Sequence, residues 1–137
     1  MISAERVIPA EPERVFEFLS DLRNHWRLET AFVRLQDVDG SGGTIRLRGP
    51  FGLSREVRTR VLEAEPARRV AGRADLSGGT VGLVAWELLP AEGGTNVRLS
   101  ASVPEASLLD RLILALGGRR WLGRLFSRAL ANLEAAL

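Results

Sequence analysis

His25 is the only imidazole in the chain and the side chain best suited by type to exchange a proton near neutral pH. Of the carboxylates, Glu29 follows it closely enough to act as a partner. Glu87 adjoins Trp86 in an alternating stretch and is expected to face the opposite way, toward solvent. Arg55 and Thr59 are the polar members of a run shared with Val57 and Val61, so they would look inward if those valines do. Each reading has a plainer counterpart: His25 as a solvated or capping residue of a short helix, and Arg55 and Thr59 as polar groups accommodated in a core.

Other chemistries lack the residues they need. With no Cys, the chain has no disulfide, thiol nucleophile or cysteine-ligated metal, and with one His no histidine-rich metal site is expected. No Gly-x-Ser-x-Gly elbow occurs. The glycines of Gly40-Ser41-Gly42-Gly43 lie between strand-like segments, not ahead of a helix, and therefore read as a turn and not as a phosphate cradle. The sequence pI of 10.7 suggests nucleic acid, yet the net charge is only +2. All 19 basic residues are Arg, with no Tyr or Cys, so almost nothing titrates between the carboxylates and the guanidinium groups and a small positive excess drives the pI up. Arg119, Arg120, Arg124 and Arg128 do form a basic stripe, open to an anionic membrane surface or nucleic acid, though a solvated helix face is the simpler reading. No nucleic-acid partner, cofactor or metal is expected. No apolar run approaches the roughly 18 residues of a membrane span, and no secretory pattern opens the sequence, so a cytoplasmic protein without stable membrane insertion is expected.

The elements that must position these residues follow from periodicity. At 137 residues one domain, 1–137, is expected. Residues 2–8 read as a strand. Pro12 fits a first helical turn, and Val15, Phe16, Leu19 and Leu22 continue at helical spacing, with Asp21 able to cap a second short helix. From Phe32 the period becomes two, giving strands over 32–38, 44–48, 53–65, 69–76, 81–89 and 96–103, separated by Gly- and Pro-containing turns. The rest is helical. Leu108, Leu109, Leu112, Ile113 and Leu116 form one apolar stripe and Leu122, Phe126, Ala129, Leu130 and Leu133 another, out of phase by about a quarter turn. Gly117-Gly118 at the junction predicts a kink.

This order, with Pro12-x-x-Val15-Phe16-x-x-Leu19-x-Asp21, Trp26, Val84-x-Trp86-x-Leu88 and Gly93-Gly94-Thr95-x-Val97-x-Leu99, resembles the START-like helix-grip superfamily. That superfamily includes lipid-transfer START domains, birch-pollen-allergen-like proteins and polyketide cyclase/dehydratase proteins. The resemblance implies an α+β fold in which a curved antiparallel sheet of about seven strands (β-α-α-β6-α) wraps a long C-terminal helix. It also implies a cavity between sheet and helix, which in related proteins holds sterols, phospholipids, plant hormones, polyketides or quinones. The expected wall comprises Arg55, Val57, Thr59, Val61, Val84, Trp86 and Leu99, with Trp26, Phe32 and Phe51 counted beside them and Leu112 and Leu116 from the last helix. Gly72 and Ala74 would leave room. Three functions fit such a fold. One is a binding or carrier protein for a lipid, polyketide or similar hydrophobic molecule. Another is a cyclase/dehydratase-type enzyme using His25 and Glu29. The third is a co-chaperone-like interaction module, which would need a filled core and a contiguous apolar surface patch.

Overall fold

Pro9 ends strand β1 (Ile2–Ile8), and Pro12 opens helix α1 (Pro12–Leu19) at the position where its missing N–H is not required. Val15 and Leu19 of α1 are fully buried. Asp21 Oδ1 accepts the Arg23 backbone N–H at 3.0 Å and so caps helix α2 (Leu22–Arg27). The structure is a computed structural model that describes residues 1–28, 33–38, 41–48 and 54–137; the side chains of Trp26 and of residues 33–38 lie outside that description.

Six further strands follow: β2 (Val33–Val38), β3 (Gly42–Arg48), β4 (Ser54–Glu65), β5 (Arg69–Leu76), β6 (Thr80–Ala91) and β7 (Gly94–Glu105). Each pairs antiparallel with its neighbour, and β1 adds to β7, giving one curved sheet ordered β1-β7-β6-β5-β4-β3-β2. Register shifts at Leu35/Asp37, Val61/Glu63 and Val81/Leu83 mark bulges, which raise local twist and help the sheet curl. The long alternation of β4 sorts its side chains: Val57 and Thr59 are buried, while Glu56, Arg58 and Arg60 are exposed. Leu62 keeps the outward parity of Glu56, Arg58 and Arg60, and past the bulge the parity slips, so that Glu63 is exposed and lies 3.5 Å from Arg69 on the outer face. Glu87 faces outward and pairs with Arg69 at 3.6 Å.

The C-terminal region has two helices, α3 (Leu108–Ile113) and α4 (Arg119–Ala136). Between them, Leu114–Gly118 form a wide turn in which Gly117 adopts φ 118°. Only glycine takes that conformation readily, and at Gly118 a Cβ would stand 2.8 Å from the Ile113 carbonyl oxygen. The expected kink is thus present. Along α4, Phe126, Ala129, Leu130 and Leu133 enter the core against Val15, Leu19, Trp86 and Val97. Asn132 Nδ2 donates to the Leu28 carbonyl at 2.6 Å, and Arg6 pairs with Glu134 at 2.7 Å, fastening α4 to the end of α2 and to β1.

One expectation is corrected here. Leu112 and Leu116 do not face the sheet but stand exposed, as do Leu108 and Leu109. The side of α3 turned inward carries Asp110 and Ile113 instead, with Leu114 directly after them. Asp110 sets that orientation through the bonds described below.

Candidate functional site

Antiparallel partners share a face of the sheet, so the register shows what paves its concave side. One row runs Val70, Trp86, Leu99 across β5, β6 and β7, and it meets Phe126 in the packed core. The row of Val61, Gly72, Val84 and Ala101 comes next. Beyond it, Gly43, Thr59, Ala74 and Gly82 face one another across four strands. That run of small side chains cannot fill the space below the C-terminal region, and a cavity of about 270 Å³ results. Its roof is Ile113 and Leu114 with Trp121, Leu122 and Leu125 of α4.

At the α3 end of the cavity lies a polar cluster. Arg55 Nη1 donates to Asp110 Oδ1, and Arg55 Nη2 donates to the Ser77 carbonyl. Thr80 Oγ1 donates to Asp110 Oδ2, and Ser107 Oγ reaches the same oxygen at 3.0 Å. Ser107 Oγ also accepts the Asp110 backbone N–H at 3.2 Å, capping α3, and the Ser107 N–H bonds Thr80 Oγ1 at 3.1 Å. Asp110 is 7% exposed. Burial pushes its carboxyl up, but the hydrogen bonds from Arg55, Thr80 and Ser107, with the Arg55 charge, outweigh burial and hold it below the ordinary aspartate value. The cluster is a largely buried ion pair, its carboxylate shared by Arg55, Thr80 and Ser107, that pins α3 to β4 and β6.

On the other flank, the His25 ring meets Trp86 edge-on, with centroids 5.6 Å apart. Its Nε2 bonds the Leu19 carbonyl, which fixes the tautomer with the proton on Nε2. Burial pushes the imidazole pKa down, against the smaller opposing effects of the Leu19 carbonyl and Asp21, so the ring is neutral at pH 7. Nδ1 can then accept one hydrogen bond. Among the described residues no carboxylate is hydrogen-bonded to His25, and no three His, Asp or Glu side chains gather as metal ligands.

Of the residues singled out in the sequence, His25, Arg55, Val57, Thr59, Val61, Val84, Trp86 and Leu99 border the cavity, as do Gly72 and Ala74. Leu112 and Leu116 do not. Glu29, Phe32, Phe51 and the Trp26 side chain lie outside the described residues. Sequence reasoning missed Asp110, Thr80, Ser107 and Gly82. For Asp110 a signal existed: Ser107-x-x-Asp110 ahead of an apolar run is a helix-start pattern of the capping-box kind.

A curved antiparallel sheet gripping a C-terminal helix over an apolar cavity is the helix-grip architecture. The chain belongs to the family described as polyketide cyclase / dehydrase and lipid transport, whose model matches residues 1–137. Solved structures agree on the fold. A protein from Rhodobacter sphaeroides is 26% identical, with a TM-score of 0.65 over 98% of this chain and 89% of that one. Protein Ms6760 from Mycobacterium smegmatis is 15% identical, with a TM-score of 0.71 over 98% and 88%. TTHA0849 from Thermus thermophilus is 20% identical, with a TM-score of 0.67 over 98% and 94%. No curated protein sequence matches.

Proposed function

We propose that the protein binds a compact hydrophobic small molecule in this cavity and carries it without transforming it. The observation that carries this reading is the wall itself: apolar side chains on every element around a space just below the roughly 300–1,000 Å³ usual for small-molecule sites. Burial of apolar ligand surface at roughly 25 cal/mol per Å² would supply the affinity. The polar groups at the wall suit orientation better than proton transfer. Asp110 is committed to Arg55, and neutral His25 offers a single acceptor, apt for one hydroxyl or amide N–H of a ligand. A volume of about 270 Å³ admits a few fused rings or a folded acyl segment, not a whole phospholipid. The open space also favours a ligand over the filled core that an interaction module requires.

Ala74 offers the direct test, because its side chain lies on the cavity floor between Thr59 and Gly82. Ala74→Phe is expected to fill the space and weaken binding of the apolar fluorophore N-phenyl-1-naphthylamine at least ~10-fold, with little loss of thermal stability because the ring enters a void. Titration of both proteins with the fluorophore reads the difference. Equal binding by the two would place the apolar site elsewhere and end this reading.

A further inference from the structure

The exposed leucines of α3 and of the turn after it are unusual in their grouping. Leu108, Leu109, Leu112 and Leu116 are 82%, 57%, 54% and 64% exposed, within nine consecutive residues. At about 100° per residue, Leu108, Leu109 and Leu112 of α3 occupy roughly a 100° arc, adjoining the side that holds Asp110 and Ile113, and Leu116 follows in the turn. The outer face of α3 is therefore as apolar as its inner face, although only the inner face meets the cavity.

The charge beside this face is mostly positive: Glu105, three residues before Leu108, is exposed, but the chain that follows is basic. Between Ala106 and Leu133 the only acidic residue is Asp110, which is buried and paired with Arg55. Arg111, beside the leucines on α3, is exposed, and so are Arg119 and Arg120 directly after the turn that carries Leu116. Leucines in a stripe, followed by arginines with no exposed carboxylate between Ala106 and Leu133, are the composition of an interfacial helix: apolar side chains enter the acyl boundary while guanidinium groups meet anionic headgroups. Protein-binding hot spots are richer in Trp, Tyr and Arg at a central pocket, and leucine is under-represented in them. Among the described residues no helix is long and apolar enough to cross a membrane, so contact would be peripheral.

We propose that the outer face of α3, with Arg111, Arg119 and Arg120, docks on the surface of an anionic lipid bilayer. Docking there sets the cavity wall formed by Asp110, Ile113 and Leu114 one helix thickness from the acyl phase. Release of α3 at the bilayer would open the cavity toward a hydrophobic source or sink. This proposal goes beyond ligand carriage, and vesicle binding can be read whether or not the cavity is occupied.

The test is co-sedimentation of the purified protein with phosphatidylglycerol/phosphatidylcholine vesicles and with pure phosphatidylcholine vesicles, at low and high salt. The expected result is at least ~10-fold stronger binding to the anionic vesicles, weakened by salt. Leu108→Ser combined with Leu112→Ser should abolish it, and Arg119→Gln combined with Arg120→Gln should reduce it several-fold. These side chains are exposed, so far-ultraviolet circular dichroism should match that of the unmodified protein. Absence of binding to anionic vesicles, or undiminished binding by the leucine variant, overturns the proposal. A dimer that the leucine variant dissociates, with no vesicle binding by either protein, would overturn it in favour of a second copy on this face.

Discussion

Replacing Asp110 with alanine is expected to release α3 from the sheet while the sheet stays folded. The variant leaves the Arg55 guanidinium enclosed with no counter-charge and removes the shared acceptor of Thr80 and Ser107. Breaking a buried pair from one side costs about 3–5 kcal/mol. Detachment of the short helix limits that cost, because local opening lets Arg55 reach water without unfolding β4 to β7. Hydrogen exchange should therefore show the α3 amides at least ~100-fold less protected, with those of β6 and β7 nearly unchanged. The double variant Arg55→Met/Asp110→Leu, which removes both charges at similar volume, should recover most of the protection. Acid should mimic the single variant. The native pKa of Asp110 is lowered, so the stabilisation is complete above the ordinary value of 3.8, begins to fade below it, and is gone once the pH falls past the lowered value. Unchanged α3 protection in Asp110→Ala would show that the pair does not hold the helix.

Gly94→Ala should be the most damaging glycine-to-alanine substitution among the described residues. Gly94 starts β7 at φ 153°, and a Cβ built there would lie 2.0 Å from the Ile8 carbonyl oxygen and 2.9 Å from Pro9 Cα. Neither neighbour can withdraw. Ile8 is fully buried, and the adjacent Thr95 holds the same bend by donating from Oγ1 to the Ala10 carbonyl at 2.7 Å. Relief requires prising β1 from β7, at about 4 kcal/mol or more, a large part of the roughly 5–15 kcal/mol that stabilises a domain. Gly93→Ala is the control: its φ is +84°, but nothing lies within 4 Å of its Cβ position, so only the backbone cost of about 1–2 kcal/mol applies. Urea denaturation of the two variants separates close approach from conformational strain. A Gly94→Ala protein within about 1 kcal/mol of the unmodified one would refute the close-packing account.

How far the sequence announces this molecule depends on whether a feature is local. The face of β4 was readable because Val57 and Thr59 alternate with charged residues, and the pattern holds until the bulge at Val61/Glu63, which no alternation rule anticipates. Gly117-Gly118 marked the helix break through backbone freedom alone. The cavity floor was readable in part: Thr59, Gly72 and Ala74 were legible from the alternation, but Gly82 joins them only once the strands adopt their register. The helix stripe misled for a related reason. Leucine spacing shows that Leu108, Leu112 and Leu116 fall together, but which side of α3 faces inward is set by Asp110 meeting Arg55, 55 residues earlier in the chain. A buried carboxylate with a distant partner leaves little local trace beyond its serine cap.

The space under α3 and α4 is expected to take up an apolar molecule. Native mass spectrometry of protein purified without detergent, followed by organic extraction and identification of whatever is released, tests it most directly. A stoichiometric adduct of a compact hydrophobic molecule is expected in the natural protein, together with its loss in Ala74→Phe. A natural protein that flies at its bare mass, and stays so after incubation with lipids, quinones and polyketide mimics, would contradict it.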